Sequence, residues 1–372
     1  MKPSEFSDLL IKHGFNFITG VPDSLFKEVI CHIDEHEAFQ HITSSNEGEA
    51  CAIAAGYHLG TKKIAAIYLQ NSGLGNGINP LTSLLDQFIY SIPALLLITW
   101  RGSPGKKDEP QHQRMGMILP DLLNLLDIPY TMASSDSMLM DKIIDNAKRH
   151  LEEYNCPYAI LFDDSVIQSE NSNSMVASAH TLSREDVLKK IVEYSSPKDI
   201  IISTTGKTSR ELYEIRKSLK QSHEQDFLMV GSMGCAAALA FGVALGKPNN
   251  RIIVIDGDGA CLMRLETMAL IGHYKPANLI HIIIDNNAYE STGSQKTLSD
   301  TVNFVSMAKA CQYNHAALIS TLEELQSELT QSNQGPKLFS VTTNNFSRPN
   351  LSRPGSTPIE NKHLFMDFLS RI

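Results

Sequence analysis

A carboxylate and an amide follow two neighbouring apolar runs of this chain. Asp258 comes after Arg251–Ile255 by way of Asp256 and Gly257, and Asn287 comes after Leu279–Ile284 by way of Asp285 and Asn286. Oxygen donors of these kinds suit a hard cation; magnesium takes one or two carboxylates and completes an octahedron with water and phosphate oxygens. Glu47 is a third group, in a stretch Asn46-Glu47-Gly48-Glu49-Ala50 that opens a helix rich in small residues. A carboxylate in a first helical turn complements the helix dipole, and it can equally hold or give up a proton to a ligand. His112 is the single histidine of the polar stretch RGSPGKKDEPQHQR at 101–114, which has the composition of an active-site loop or lid. Asp23 and Ser24 end the turn Gly20-Val21-Pro22-Asp23-Ser24, where they could face a substrate or cap the helix at Leu25–Glu35.

These groups reach one place only if the elements beneath them form a sheet. The runs 251–255 and 279–284 flank an amphipathic segment at about Cys261–His273, separated from the first run by the turn Asp256-Gly257-Asp258-Gly259. Unbroken apolar runs on either side of such a helix predict a βαβ unit with parallel strands buried on both faces. Open parallel sheets bind ligands at the carboxyl ends of their strands, where Asp258 and Asn287 stand. The same reading places strands at Phe15–Thr19, Phe39–Thr43, Ile64–Leu69, Leu95–Trp100 and Tyr158–Phe162 in the first half, and at Ile200–Ser203, Phe227–Val230 and Lys337–Thr342 in the second. Helices are expected at Lys2–His13, Leu25–Glu35 and Arg184–Tyr194. The glycine-rich run Asn71-Ser72-Gly73-Leu74-Gly75-Asn76-Gly77 would let backbone amides approach a ligand, or simply turn the chain. A serine-rich stretch predicts a linker at 166–183 between domains at 1–165 and 184–372. The expected fold class is α/β, with two doubly wound parallel-sheet domains.

With 372 residues, 42% of them hydrophobic and 20% charged, the chain can bury two cores of ordinary size. A net charge of −9 argues against nucleic acid or membrane as a partner while permitting a local anion site. Six scattered cysteines without a CxxC pair read as reduced core residues. The start MKPSEFSDLL has no signal-peptide core, and the apolar stretches fall short of a membrane span, so a cytoplasmic location is expected.

Gly257-Asp258-Gly259, the 26 residues 260–285 and then Asn286-Asn287 resemble the diphosphate-binding motif of thiamine-diphosphate-dependent enzymes. The resemblance implies thiamine diphosphate as cofactor, with Mg²⁺ held by Asp258, Asn287 and the backbone carbonyl of Tyr289, and with Gly257, Gly259 and Ala260 beside the diphosphate. Thr205 and Gly206 are placed to reach the same group. Glu47-x-x-Ala50-x-x-x-Ala54-x-Gly56 is similar to the pyrimidine-binding segment, which makes Glu47 the partner of the aminopyrimidine ring. Gly231-Ser232-Met233-Gly234 is similar to the segment whose apolar residue wedges the cofactor into a bent shape, here Met233. GVPDS at 20–24, DEPQH at 108–112 and ESTGSQ at 290–295 resemble the phosphonopyruvate decarboxylases, with the sulfopyruvate decarboxylases close to them.

That likeness implies decarboxylation of 3-phosphonopyruvate to phosphonoacetaldehyde and CO₂, toward 2-aminoethylphosphonate. Catalytic roles fall on Glu47, His112 and Asp23, and substrate contacts on Ser24, Asn71, Ser291, Thr292 and Ser294. Pyruvate-type decarboxylases place an acidic side chain near the position of Gly293, which would repel a substrate carrying a second anionic group. Sulfopyruvate as substrate and a carboligase of the acetolactate synthase type remain alternatives. The family implies at least a homodimer, with the cofactor between the first domain of one subunit and the second of another.

Overall fold

The computed structural model describes residues 1–168, 180–331, 334–348 and 350–372. The chain forms two compact units, Met1–Ser174 and Met175–Ile372. Of the linker expected at 166–183, residues 169–179 lie outside the described residues.

Unit 1 runs α1 (Pro3–Lys12), β1 (Phe17–Gly20), α2 (Lys27–Glu35), β2 (Gln40–Thr43), α3 (Glu47–Thr61), β3 (Ala65–Gln70), α4 (Leu74–Pro80), β4 (Ala94–Thr99), α5 (Pro110–Leu125), β5 (Tyr130–Met132), α6 (Ser137–Tyr154) and β6 (Tyr158–Phe162). Its six strands are all parallel, in the order β2-β1-β3-β4-β6-β5. Successive residues of β3 and β4 enter opposite cores. Ala66, Tyr68, Leu95 and Leu97 pack with Phe6, Ile30 and Ile144, whereas Ala65, Ile67, Leu96 and Ile98 pack with Ala54, Leu81 and Leu119. Burial on both faces is why these strands read as continuous apolar runs.

Unit 2 runs α7 (Arg184–Glu193), β7 (Ile200–Ser203), α8 (Lys207–Ser218), β8 (Asp226–Leu228), α9 (Ala236–Gly246), β9 (Ile252–Gly257), α10 (Asp258–Met263), α11 (Glu266–Tyr274), β10 (Leu279–Asp285), the short antiparallel pair β11 (Ala288–Tyr289) and β12 (Gln295–Lys296), α12 (Phe304–Ala310), β13 (His315–Ile319), α13 (Leu322–Thr330), β14 (Lys337–Thr342) and α14 (Pro358–Arg371). Its large sheet is again parallel, ordered β13-β14-β10-β9-β7-β8. Numbered within its own unit and taken from the other edge, this order is 2-1-3-4-6-5, the same as in unit 1. Each unit is therefore a doubly wound α/β fold whose winding reverses between its first and third strands, the crevice where such folds bind ligands.

Several elements differ from their sequence reading. The single helix expected at 261–273 is two: α10 starts at Asp258 itself, and the chain leaves helical geometry at Arg264 (φ −139°, ψ 48°) before α11. Asp258 and Gly259 thus belong to a helical first turn rather than to a glycine turn. The stretch at 101–114 is irregular only to Glu109, because Pro110 starts α5 at a position where its missing N–H costs nothing. The glycine-rich run after β3 is a 3₁₀ turn (Asn71–Gly73) followed by α4. Asp23 does not cap α2, whose N-cap is Phe26; it closes a local turn by accepting the Leu25 N–H at 3.1 Å. No described helix is long and apolar enough to cross a membrane.

Candidate active site

In unit 1, the predicted residues follow the carboxyl ends of β1, β2, β3 and β4. Glu47 is buried (6% exposed) in the first turn of α3, behind the N-cap Asn46, whose side chain accepts the Glu49 N–H at 3.0 Å. Asn76 Nδ2 donates to Glu47 Oε2 at 2.7 Å. The backbone of Gly73 lies so close to the Glu47 carboxylate that a Cβ there would collide with Oε1. A glycine at 73 and an asparagine at 76 therefore hold one acidic side chain from both sides, a role for the glycine-rich run that its composition alone left open.

Asp23 is buried at 2% exposure and accepts the Thr99 hydroxyl at 2.8 Å as well as the Leu25 N–H. Burial lifts its carboxyl above the ordinary range, against the pull of those two donors and of Arg101. Asn71 is fully buried and bridges to the next strand: its Nδ2 donates to the Arg101 carbonyl (2.8 Å), and its Oδ1 accepts the Arg101 N–H (3.2 Å). His112 is 8% exposed, not solvated as an isolated loop histidine would be, and its Nδ1 lies 3.4 Å from Gln70 Nε2. Burial first, and the charge of Arg101 second, hold the imidazole below its usual range, so it is neutral at pH 7. The segment 70–77 links the two groups, through Asn71 to the Arg101 side and through Gly73 and Asn76 to Glu47.

Sequence reading passed over Arg101 and Asp108. The guanidinium Nε and Nη2 donate to Asp108 Oδ2 and Oδ1 at 2.8 and 2.6 Å, and Nη1 donates to Ser24 Oγ at 3.1 Å. Charged pairs in polar loops are too common for composition to single one out.

In unit 2, Asp258 is 3% exposed and accepts the Thr297 hydroxyl at 2.5 Å. Asn287 has a left-handed backbone (φ 55°), which asparagine tolerates better than most residues. Its Oδ1 lies 3.4 Å from Thr297 Oγ1 and 3.3 Å from Ser299 Oγ, while the Ser299 hydroxyl donates to Asp285 Oδ1 at 2.7 Å. Asp258, Asn287 and Asp285 thus converge on one pair of hydroxyls. Burial, reinforced by the charge of Asp285, pushes the Asp258 carboxyl up to about 7 despite the Thr297 bond. A buried carboxylate with a second carboxylate beside it and hydroxyls as its hydrogen-bonding neighbours fits a divalent cation, whose charge would offset the cost of ionising it. The Tyr289 carbonyl accepts both the Ser294 N–H (3.0 Å) and the Thr292 hydroxyl (3.1 Å), so it is engaged within its own turn. The side chain of Ser291 lies outside those described.

The remaining predicted residues surround this cluster. Gly259 faces the Tyr289 ring so closely that a Cβ would strike it, and Ala260 is buried beside it in α10. Gly257 has open space where a side chain would be. Ser232 and Gly234 both take positive φ (53° and 88°), which projects Met233 from a tight turn at 37% exposure. Gly234 packs against Arg264 and the Ala260 carbonyl, so that turn abuts α10. Thr205 and Gly206 follow β7, the strand paired with β9, and Gly206 (φ 90°) leaves open space before α8.

A buried ion network anchors the 290–294 turn. Glu290 accepts from Arg184 Nη1 and Lys207 Nζ, each at 2.7 Å, and Arg184 also forms a two-pronged pair with Glu211 at 2.7 and 2.9 Å. Arg184→Gln strands the buried Glu211 carboxylate and leaves Glu290 with Lys207 as its remaining cation, and should lower unfolding stability by about 3–5 kcal/mol, measured by urea denaturation. An unchanged midpoint would mean that the network holds nothing in place.

Both clusters lie within stretches that match known domains. Residues 5–121 match the thiamine pyrophosphate enzyme N-terminal TPP binding domain, and residues 204–341 match the corresponding C-terminal TPP binding domain. A phosphonopyruvate decarboxylase of Streptomyces viridochromogenes is 36% identical over 374 residues, covering 96% of this chain and 92% of the relative. One of Streptomyces hygroscopicus is 37% identical over 372 residues, covering 95% and 90%. The sulfopyruvate decarboxylase subunit beta of Methanocaldococcus jannaschii is 42% identical over 146 residues, 39% of this chain and 74% of that subunit. Similarity at this level along almost the whole chain, with Glu47 inside one matched domain and Asp258 and Asn287 inside the other, means that the chain belongs to the thiamine pyrophosphate enzyme family, among the phosphonopyruvate decarboxylases.

Proposed function

We propose that the protein decarboxylates 3-phosphonopyruvate to phosphonoacetaldehyde and CO₂, using thiamine diphosphate and Mg²⁺. The observation that carries this reading is the near full-length similarity to two phosphonopyruvate decarboxylases, with both cofactor-binding domains present on one chain. Thiamine diphosphate, when bound, supplies the electron sink that accepts the electrons left behind as the carboxylate departs.

The chain's own groups divide the remaining work. Asp258 and Asn287 would hold Mg²⁺ through their side-chain oxygens, Tyr289 would join them once its carbonyl gave up the Ser294 and Thr292 bonds, and the backbone at Gly257, Gly259, Ala260, Thr205, Gly206, Gly231 and Ser232 would close around the diphosphate. Met233 presents its apolar side chain to the cofactor. Asn76 and Gly73 position the Glu47 carboxylate, which would share a proton with the aminopyrimidine ring of the bound cofactor. Asp23, whose burial favours the protonated carboxyl, and the neutral imidazole of His112 carry the proton delivered to the product carbon. Ser24, Asn71 and Ser294 would donate hydrogen bonds to a 2-oxo acid bearing a second anionic group, and Gly293 adds no opposing charge. We further propose a homodimer or larger homo-oligomer acting in the cytoplasm, with the aldehyde feeding 2-aminoethylphosphonate formation; light scattering tests the assembly.

The test is release of CO₂ and aldehyde from phosphonopyruvate, sulfopyruvate and pyruvate in parallel, with thiamine diphosphate and Mg²⁺ supplied. The expected result is a preference for phosphonopyruvate in kcat/KM. Preference for sulfopyruvate would overturn the substrate and keep the reaction, and turnover that ignores the cofactor would overturn the reaction.

A further inference from the structure

We infer that Arg101, oriented by Asp108 and opening onto Ser24, recognises the second anionic group of the substrate, the one that is not lost. The inference rests on the decarboxylase reading above, since it is that substrate class which carries a phosphonate or sulfonate beside the 2-oxo acid.

Arg101 stands just beyond β4, at the carboxyl edge of the unit 1 sheet. Its backbone is fixed on both sides by the Asn71 amide. One edge of its guanidinium is closed by Asp108. Asp108 also accepts the N–H groups of Gly102 (2.8 Å) and Glu109 (2.7 Å), so four donors saturate its two oxygens. The hydrogen bonds from Arg101, with those from the Glu109 and Gly102 N–H groups, hold this carboxylate well below the ordinary range, which leaves it an orienting group with no proton to trade. Guanidinium carries five N–H bonds. Asp108 and Ser24 take three of them, which leaves one on each terminal nitrogen to donate to phosphonate or sulfonate oxygens.

The position suits the substrate as well as the chemistry does. Asp23 and His112 both feel the Arg101 charge, so the guanidinium lies among the groups proposed to handle the product's proton. Ser24 Oγ, beside Nη1, adds a hydroxyl to the same face. Elsewhere the choices are weaker. The Thr292 hydroxyl, expected from the sequence to meet this anion, already has two acceptors for its one proton within its own turn, Tyr289 O and Gln295 Oε1. Lys106, on the same loop as Arg101, is paired with Asp163 and Asp164.

The experiment compares wild type, Arg101→Gln, Arg101→Lys and Asp108→Asn, each loaded with thiamine diphosphate and Mg²⁺. Three quantities are read: KM and kcat for phosphonopyruvate, the inhibition constant of phosphonoacetate, which has both anionic groups and no 2-oxo carbon, and the affinity for thiamine diphosphate by calorimetry. Loss of charge-assisted bonds should raise KM and the phosphonoacetate constant in Arg101→Gln by roughly 10- to 100-fold, with cofactor affinity unchanged. Arg101→Lys keeps the charge without the fork and should fall between, and Asp108→Asn, which frees the guanidinium to swing, should weaken phosphonoacetate less than Arg101→Gln does. A fall in kcat with an unmoved phosphonoacetate constant would overturn the inference and make Arg101 a positioning residue. Wild type that does not decarboxylate phosphonopyruvate at all would instead sink the underlying reading, and the two failures are told apart by the wild-type assay.

Discussion

Glu47→Gln lowers kcat for CO₂ release from phosphonopyruvate by roughly 10²- to 10⁴-fold, the range for removal of a positioned acid or base. The substitution is close to isosteric, so the position against Gly73 and the hydrogen bond from Asn76 at 2.7 Å can both survive, and α3 retains its Asn46 cap. What disappears is the ability to take and return a proton at the end of a side chain that is 6% exposed. Because binding contacts remain, calorimetry should find cofactor affinity within the same order as wild type. Activity near the wild-type rate in Glu47→Gln would remove Glu47 from the chemistry. Loss of cofactor binding together with rate would show that the carboxylate serves binding instead.

Asp258→Asn has the second large expected effect, and it cuts two ways. Asparagine offers one neutral oxygen where a carboxylate would face a divalent cation, so Mg²⁺-dependent binding of thiamine diphosphate, and with it turnover, should fall below detection. The metal-free fold should become more stable at the same time. The Asp258 carboxyl is pushed up to about 7 by burial, above its unfolded value, so its contribution to folding is fully present below that unfolded value and is lost as pH rises through about 7. Above that pH the folded apo protein carries a buried negative charge that asparagine does not have, while the Thr297 hydroxyl can still donate to the amide oxygen. Thermal melts without metal should therefore show Asp258→Asn above wild type on the alkaline side of pH 7 and level with it well below. The same linkage makes Mg²⁺ compete with a proton, and wild-type affinity for the metal should weaken as pH falls through about 7. Undiminished Mg²⁺ affinity in Asp258→Asn would exclude this residue as a ligand.

Several site features lay beyond any local reading. Thr297 is 39 positions from Asp258, Asn76 is 29 from Glu47 and Ser24 is 77 from Arg101. A hydroxyl that steadies a buried carboxylate looks, in sequence, like any serine or threonine of a polar loop. One edge strand of each large sheet was silent for a related reason. Tyr130–Met132 is three residues long and partly exposed, and His315–Ile319 mixes buried, half-buried and exposed positions, so neither presents the unbroken apolar run of a central strand. His112 was read as part of an irregular loop because charge and proline dominate its neighbourhood. Pro110 in fact starts a helix there, whose backbone packs against that of Gly102, and His112 is buried in its first turn.

The sequence by itself determined the central βαβ unit, the α/β class and the identities of Glu47, Asp258 and Asn287 as the groups to watch. Strands covered on both faces must be apolar throughout, and a parallel sheet must expose at its carboxyl edge whatever residues come next in the chain. Tertiary structure alone decided the strand order 2-1-3-4-6-5 that both units share, the hydroxyl pair between Asp258 and Asn287, the Gly73 and Asn76 cradle around Glu47, and the Asp108 brace that turns Arg101 toward Ser24. Each of these joins residues that are far apart in the chain, and packing of whole elements rather than local periodicity determines which of them meet.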